Sequence, residues 1–354
     1  MVSIRTATYE VHFNAGGFEA INKHLKDARY SKVFILVDGN TRQHCLPVFM
    51  ANIKTDHYFE IIEIAAGELH KNISTCTRVW ERMSELNADR KSLLINLGGG
   101  VVTDLGGFVA SAFKRGIAFI NVPTSLLSMV DASIGGKTGV DLGKLKNQVG
   151  VINQPRMVLV ITEFLKTLDR RQLNSGFAEM LKHGLIRDED YWNALKKRTD
   201  FDGMDRLIYD SVIIKNQVVL KDPTEEHLRK ILNFGHTLGH AIESHFLESD
   251  ARPVLLHGEA IASGMILEAY LSHKIAGLDK QALADITNTF LERYQKVEFS
   301  PEDITHILSL LKYDKKNTHG NVNFVLLNAI GDPKIDCQVP DEFYEEAFVY
   351  YKEQ

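Results

Sequence analysis

The chain has 354 residues, enough for two ordinary domains, and its 44% hydrophobic and 25% charged content is that of a folded globular protein. A formal net charge of −5 gives no basic footprint for nucleic acid, so an anionic ligand must be held by a local cluster of cations. No apolar run approaches the ~20 residues that span a bilayer, and three scattered cysteines, Cys45, Cys76 and Cys337, fit free thiols in the reducing cytoplasm.

Met1 to Phe13 alternates apolar and polar residues like a strand and lacks the apolar centre of a signal peptide. Further strands are predicted at Lys32–Val37, Tyr58–Ala65, Ser92–Leu97, Ile117–Val122 and Met157–Ile161, with helices near Thr41–Asn52, Ser74–Asn87 and Thr103–Phe113 between them. This alternation predicts an α/β domain with a doubly wound, mainly parallel sheet. From Arg170 onward helical spacing takes over, at Arg170–Ile186, Asp202–Leu220, Glu225–Phe246, Gly258–Ala276, Leu278–Tyr294 and Pro301–Tyr313, with one late strand at Val322–Leu327. The boundary is expected between Ile161 and Arg170, giving an α/β domain over 1–168 and an all-α-dominated domain over 169–354.

Polar, glycine-containing loops follow three of the strands. Ser92–Leu97 runs into Gly98-Gly99-Gly100, with Asp104 one turn into the next helix. Consecutive glycines let backbone amides approach a phosphate, and the helix turns its positive end to the same anion. Asp38-Gly39-Asn40 and Gly67–Lys71 occupy matching places after their strands, where open parallel sheets bind ligands. The spacing is not that of an ordinary dinucleotide fingerprint. Nor is Gly135-Gly136-Lys137-Thr138 a phosphate-binding Walker motif, because Asp131 stands where its first glycine belongs. Lys137, with Lys144, Lys146 and Asn147 close behind, still makes an anion cradle.

In the second half, His236 and His240 are four apart and share one helix face, and His257-Gly258-Glu259 follows. Glu179, Lys182 and His183 share a face of an earlier helix. Imidazole and carboxylate at three positions, with a fourth left open, is how catalytic divalent metals are held. Spacing leaves open which of His236, His240, His257, His183 and Glu179 would bind one. Lys215, Arg229 and Lys230 precede the histidine segment, and Lys315-Lys316 follow it.

These segments are ordered as G-E-x-x-K at Gly67–Lys71, L-G-G-G-V-V-x-D at Leu97–Asp104, R-G at Arg115-Gly116, V-P-T-S-L-L at Val122–Leu127 and V-D-A-S-I-G-G-K-T-G-V at Val130–Val140. K-N at Lys146-Asn147, G-F-A-E-M-L-K-H-G at Gly176–Gly184, L-N-F-G-H-T-L-G-H-A-I-E at Leu232–Glu243 and L-H-G-E-A at Leu256–Ala260 follow. Together they resemble the 3-dehydroquinate synthase family over nearly the whole chain. The resemblance implies an NAD-binding first domain and a metal- and substrate-binding second domain. It implies a shikimate-pathway lyase that converts 3-deoxy-D-arabino-heptulosonate 7-phosphate to 3-dehydroquinate and phosphate. Glu179, His236 and His257 are the implied ligands of zinc, or of cobalt. The implied NAD contacts are Asp38, Asn40, Glu68, Lys71, Gly99, Gly100, Val101, Asp104, Thr124, Ser125, Phe164 and Thr167, with Lys137 and Lys146 shared with the substrate. Asp131, Lys137, Lys146, Asn147, Lys182, Lys215, Arg229, Asn233 and His240 resemble the substrate pocket, which a lysine at Lys315 or Lys316 completes. Arg115 resembles a residue that reaches a neighbouring subunit's site, which implies a homodimer.

Thr103 and Ser125 depart from the usual glycine and threonine, Asp141–Leu145 lacks the usual proline, and Phe246–Leu255 aligns poorly. None of these removes a proposed chemical group. The rival expectations are another sugar-phosphate cyclase, a metal-dependent polyol or glycerol-phosphate dehydrogenase that would release NADH at each turnover, and a non-catalytic binding protein with decayed ligands.

Overall fold

The computed structural model describes residues 1–143, 145–248, 252–311 and 322–354. Contacts divide them into two units, each discontinuous in the chain: Met1–Leu173 with Gly203–Leu220, and Asn174–Asp202 with Lys221–Gln354.

The first unit holds strands Ile4–Arg5 (β1), Glu10–Phe13 (β2), Val33–Asp38 (β3), Phe59–Ile64 (β4), Leu93–Gly98 (β5) and Ala118–Pro123 (β6). A separate hairpin of Lys137–Leu142 (β7) and Leu145–Ile152 (β8) precedes Met157–Val160 (β9). Helices Asn14–Asp27 (α1), Gly39–His44 (α2), Leu46–Asn52 (α3), Ile73–Glu85 (α4) and Gly100–Ala112 (α5) connect them. Among the described residues one seven-stranded sheet runs β1-β2-β9-β6-β5-β3-β4, parallel at every pairing but β1–β2. The chain steps from β3 outward to β4, returns to β5, then moves the other way through β6 to β9. Winding therefore reverses between β3 and β5, and the crevice outside their carboxyl ends is where such sheets take ligands.

β3 and β5 read as continuous apolar runs because a central parallel strand is covered on both faces, and they are buried almost end to end. Phe34, Leu36, Leu94, Val109 and Phe119 sit in the resulting core. α5 lies tight on this sheet. A Cβ on Gly106 would stand 2.0 Å from Asn96 Oδ1, and one on Gly107 would stand 2.4 Å from Thr138 Cγ2, so a side chain at either position would have to displace its neighbour.

The five predicted parallel strands are present with ends shifted by about a residue. The predicted helix at Thr41–Asn52 breaks at Cys45 into α2 and α3, where Pro47 occupies the first turn of the second. α1 is a helix that the sequence pattern does not announce, since Gly16-Gly17 reads as a loop. The β7–β8 hairpin is hidden in the glycine–lysine stretch, because its pairing of Lys137 with Ile152 is non-local.

Arg170–Arg187 (α6) carries the chain from the first unit into the second, where Glu189–Lys196 (α7) follows. Asp205–Lys221 (α8) packs almost wholly with the first unit. The second unit continues with His236–Glu248 (α9), His257–Leu271 (α10), Lys280–Arg293 (α11), Pro301–Leu310 (α12) and Glu342–Glu353 (α13). Its strands Phe324–Ala329 (β10) and Asp332–Cys337 (β11) pair antiparallel, so the late strand has a partner that its polar sequence concealed. The helix expected over Glu225–Phe246 starts only at His236: Leu228–Asn233 forms a 3₁₀ turn, and Gly235 has φ of 77°. The helix expected to reach Ala276 ends at Leu271, followed by a wider turn and a left-handed Gly277. The end of the segment predicted at Pro301–Tyr313 lies outside the described residues. No described helix is long and apolar enough to cross a membrane.

Candidate active site

Each unit gathers its own set of polar groups. In the first, Asp38 ends β3, and Asn40, Glu68, Lys71, Gly99, Gly100, Thr124, Ser125, Phe164 and Thr167 all follow the carboxyl ends of β3, β4, β5, β6 or β9. Gly99 precedes α5 as its N-cap, and Gly100 and Val101 form its first turn, which contains no acidic residue. The first amides of α5 therefore offer donors and a positive dipole end with no carboxylate competing for them. Ser125 Oγ would stand 3.2 Å from a Cβ on Gly99, so the turn and the end of β6 abut. Asp38 is less open than expected: its Oδ1 accepts from Thr41 N at 2.8 Å and caps α2. Asn40 is exposed beside it, whereas Phe164 is buried and Thr167 Oγ1 donates to the Phe164 carbonyl.

Around these loops lies a tight charge network. Lys71 Nζ donates to Asp104 Oδ2 at 2.7 Å and to Asn147 Oδ1 at 2.6 Å, and lies 3.9 Å from Glu68 Oε1. Lys146 Nζ donates to that same Glu68 oxygen at 2.5 Å. Burial pushes the Asp104 carboxyl above its usual range, and the neighbouring Lys71 pulls it back. Asp141, which sequence reasoning missed, accepts from Asn147 N at 2.6 Å and lies 4.0 Å from Lys146 Nζ. It bonds Asn147 in its left-handed conformation, φ 52°, and no local motif announces it because the three residues meet only once the β7–β8 hairpin has formed. Lys215, on α8, donates to Asp131 Oδ1 at 2.7 Å and to the Asp131 carbonyl at 2.5 Å. Lys137 opens β7, just after Gly135 and Gly136 with φ of 97° and 72°.

Arg115 stands apart. It precedes β6, at the amino ends of the parallel strands, and lines a cavity of about 570 Å³ with Arg29, Tyr30, Arg90, Lys91 and Arg156. It is therefore remote from the glycine-containing loops at the other end of its own sheet.

In the second unit, Glu179 is buried in α6 and paired with Lys182 one turn on. His236 opens α9 and His257 opens α10; each Nε2 lies 3.5 Å from Glu179 Oε1. Two ligands on a tetrahedral zinc with bonds of about 2.0–2.1 Å are about 3.3–3.4 Å apart, so this spacing suits a shared cation. The rings are also oriented for it. His236 Nδ1 is 3.0 Å from the Phe234 carbonyl and His257 Nδ1 is 3.1 Å from Glu243 Oε2. Both partners only accept, so each Nδ1 carries the proton and each Nε2 can present a lone pair. Desolvation disfavours charge on His257, but Glu243 and then Glu179 outweigh it and raise its pKa to about 10 in the metal-free chain. His240 joins the group, its ring 5.0 Å from that of His236 and 5.8 Å from that of His257. His236, His240 and His257 can themselves bring ring nitrogens within 4.8 Å of one another.

Arg229 is buried, and its Nη1 donates to the Pro223 carbonyl at 2.7 Å. The loop that carries it is tied by Asp222, whose carboxylate accepts from the amides of Glu226, His227 and Arg229. Burial works against charge on Asp222, yet those amides hold it below the usual carboxylate range. Asn233 donates to Glu225 Oε1 at 3.0 Å. Glu243 and Asp222 escape sequence reasoning because a carboxylate serving a distant imidazole or a loop's amides has no fixed spacing. Lys144, Lys315 and Lys316 lie outside the described residues.

Comparison with known proteins bears on both sets. Residues 61–175 match the family model described as 3-dehydroquinate synthase N-terminal, and residues 176–317 match that described as 3-dehydroquinate synthase C-terminal. The 3-dehydroquinate synthase of Parabacteroides distasonis is 41% identical over 334 residues, covering 93% of this chain and 94% of that protein. The one from Caldanaerobacter subterraneus subsp. tengcongensis is 37% identical over 350 residues, covering 95% of each. Among solved structures, 2-epi-5-epi-valiolone synthase from Streptomyces hygroscopicus subsp. jinggangensis, with NAD+ and Zn2+ bound, superposes with a TM-score of 0.84 at 26% identity, covering 100% of this chain and 99% of that one. A 2-deoxy-scyllo-inosose synthase complexed with carbaglucose-6-phosphate, NAD+ and Co2+ shares the fold, with a TM-score of 0.83 at 23% identity over 98% of this chain and 99% of that one. With both halves matched and relatives aligned end to end, the chain belongs to the 3-dehydroquinate synthase family.

Proposed function

We propose that the chain is a carbon–oxygen lyase that eliminates phosphate from 3-deoxy-D-arabino-heptulosonate 7-phosphate and closes the remaining carbons into 3-dehydroquinate. The observation that carries this beyond family membership is the Glu179, His236 and His257 triangle, with its ligand spacing and pre-oriented imidazoles. These three would hold zinc or cobalt, and His240 beside them would hold or pass a proton. When bound, the metal would supply Lewis acidity and NAD reversible hydride transfer.

The chain's own groups have defined tasks in this scheme. Amides at Gly99, Gly100 and Val101 receive the dinucleotide pyrophosphate at the start of α5. Asp38 keeps one carboxylate oxygen on its helix cap and offers the other to a ribose hydroxyl. Asn40, Glu68, Lys71, Asp104, Thr124, Ser125, Phe164 and Thr167 complete the nucleotide set. Lys137, Lys146, Lys182, Lys215 and Arg229 neutralise and orient the substrate's carboxylate and phosphate, and a guanidinium does so bidentately. Asp131, Asn147 and Asn233 hold its hydroxyls, and Lys316 is a further candidate. Positioning suffices for much of the rest, since a substrate phosphate oxygen can take the proton lost in elimination.

Arg115, at the opposite end of the sheet from the nucleotide loops, supports a homodimer in which it serves the second copy. The buried free thiols suit work in the cytoplasm: desolvation raises Cys45 to about 11 and Cys76 to about 12, which keeps them protonated and inert.

The test follows phosphate release and NADH absorbance in one cuvette, with NAD, zinc and the heptulosonate phosphate, and with Lys137→Ala as control. Phosphate without net NADH, lost in the control, is the expected result. Steady NADH without phosphate would replace the proposal with a dehydrogenase, and silence in both would point to a different sugar phosphate.

A further inference from the structure

α9 begins at His236 with a glycine before it, so no side chain of its own first turn can cap it from that position. Its amides are taken instead by α10. Glu268, fully buried, accepts from Thr237 N at 3.0 Å and Leu238 N at 3.1 Å through Oε1, and from Gly235 N at 2.7 Å through Oε2. Amide donors and the positive end of a helix are what a buried carboxylate needs to stay ionised. The two helices also meet backbone to backbone: a Cβ on Gly264 would stand 2.1 Å from the Gly235 carbonyl, and one on Gly239 would stand 3.1 Å from Ile261 Cα. α10 opens at His257, so a single helix supplies one imidazole and, through Glu268, fixes the start of the helix that supplies another.

We infer that Glu268 is a positioning residue that sets His236 against His257, so that altering it weakens divalent-metal binding without touching a ligand. This rests on the assignment of Glu179, His236 and His257 as the metal-holding groups. Glu268→Gln keeps the volume but turns an amide donor toward a backbone donor. Glu268→Asp keeps the charge and withdraws it by one methylene.

Cobalt(II) is titrated into metal-stripped wild type, both variants, His236→Ala, and Asp188→Ala. The last uncaps α7 in the same unit, far in sequence from α9 and α10. Readouts are the cobalt absorption spectrum, affinity by chelator competition, circular dichroism and NAD affinity. The expected result is a cobalt Kd raised about 10–100-fold in Glu268→Gln, less in Glu268→Asp, with a changed cobalt spectrum and unchanged NAD affinity. Asp188→Ala should stay within about twofold of wild type. The inference is overturned if folded Glu268→Gln matches wild type in affinity and spectrum, or if Asp188→Ala loses as much. Should Glu268→Gln not fold, Glu268→Asp decides by the same criteria. Equal cobalt affinity in wild type and His236→Ala would sink the metal assignment itself.

Discussion

Replacing Lys71 with methionine would test how the charge network of the first unit is held. Lys71 Nζ is within 2.7 Å of Asp104 Oδ2 and 2.6 Å of Asn147 Oδ1, and its side chain is only 5% exposed. Methionine fills similar space but leaves Asp104 without its closest cation. Removing one partner of a buried pair costs about 3–5 kcal/mol, and the 17% exposure of the Asp104 side chain puts this case near the lower end, about 3 kcal/mol. At about 2–4 °C per kcal/mol for a unit of this size, the first unit's melting temperature at pH 7.5 should fall by roughly 6–12 °C. The sign with pH is fixed by Asp104, whose folded pKa is raised by burial and rises further once Lys71 is gone. A raised carboxyl favours the folded state when protonated. The penalty is therefore absent below the unfolded pKa and grows as pH rises through the folded one, so the deficit shrinks on going to pH 5. Adding Asp104→Leu should return most of the loss, because a pair replaced on both sides leaves no buried charge. Scanning calorimetry of the three proteins at both pH values measures this. A single variant within 2 °C of wild type, or a double variant less stable than the single, would refute the reasoning.

Zinc affinity should rise about tenfold per pH unit from 7 toward 10, with about one proton released per metal bound, because His257, with a pKa of about 10, must become neutral to ligate. Titration calorimetry in two buffers of different protonation heat would measure it, and pH-independent binding would contradict it. Gly106→Ala, whose Cβ would stand 2.0 Å from Asn96 Oδ1, should cost about 1–3 kcal/mol in urea unfolding. Gly16→Ala in α1, with nothing within 4 Å of the new Cβ, should gain about 0.5–1 kcal/mol in the same assay. Chelation should abolish phosphate release while NAD affinity, followed by fluorescence, is retained, and added zinc or cobalt should restore turnover.

The parts of this protein legible in sequence are those encoded locally. An apolar run ending in glycines marks a covered strand and the loop after it, which is why Gly98–Gly100 and Gly67–Lys71 fall at strand ends on local pattern alone. His236 and His240 are brought together by helix period alone. His257 and Glu179 join them only through helix packing, for which the family resemblance, not the spacing, is the guide. What stays hidden is non-local. Asp141 gains its place from Lys146 and Asn147 across a hairpin whose strands lack clean alternation. Asp222 collects three amides of the loop that follows it, turning a predicted helix start into a bent segment. Glu268 looks like any helical glutamate until the bare end of α9 is seen against it.

The return of Gly203–Leu220 to the first unit has a consequence for how the protein is made. A nascent chain that has reached Leu173 still lacks α8, which buries Ile208 and Val212 there and brings Lys215 to Asp131. Asp205 bonds Asn14 and Thr162, and Asn216 bonds the Arg5 carbonyl, so the earliest-synthesised strands wait for a helix made much later. On the ribosome, Asn174–Asp202 emerges before the first unit can close, leaving its own apolar residues, Phe177 and Trp192 among them, in need of cover meanwhile. Severing the gene after Leu173 would thus yield two fragments that each carry an unfinished interior, whereas a cut between whole autonomous lobes would not.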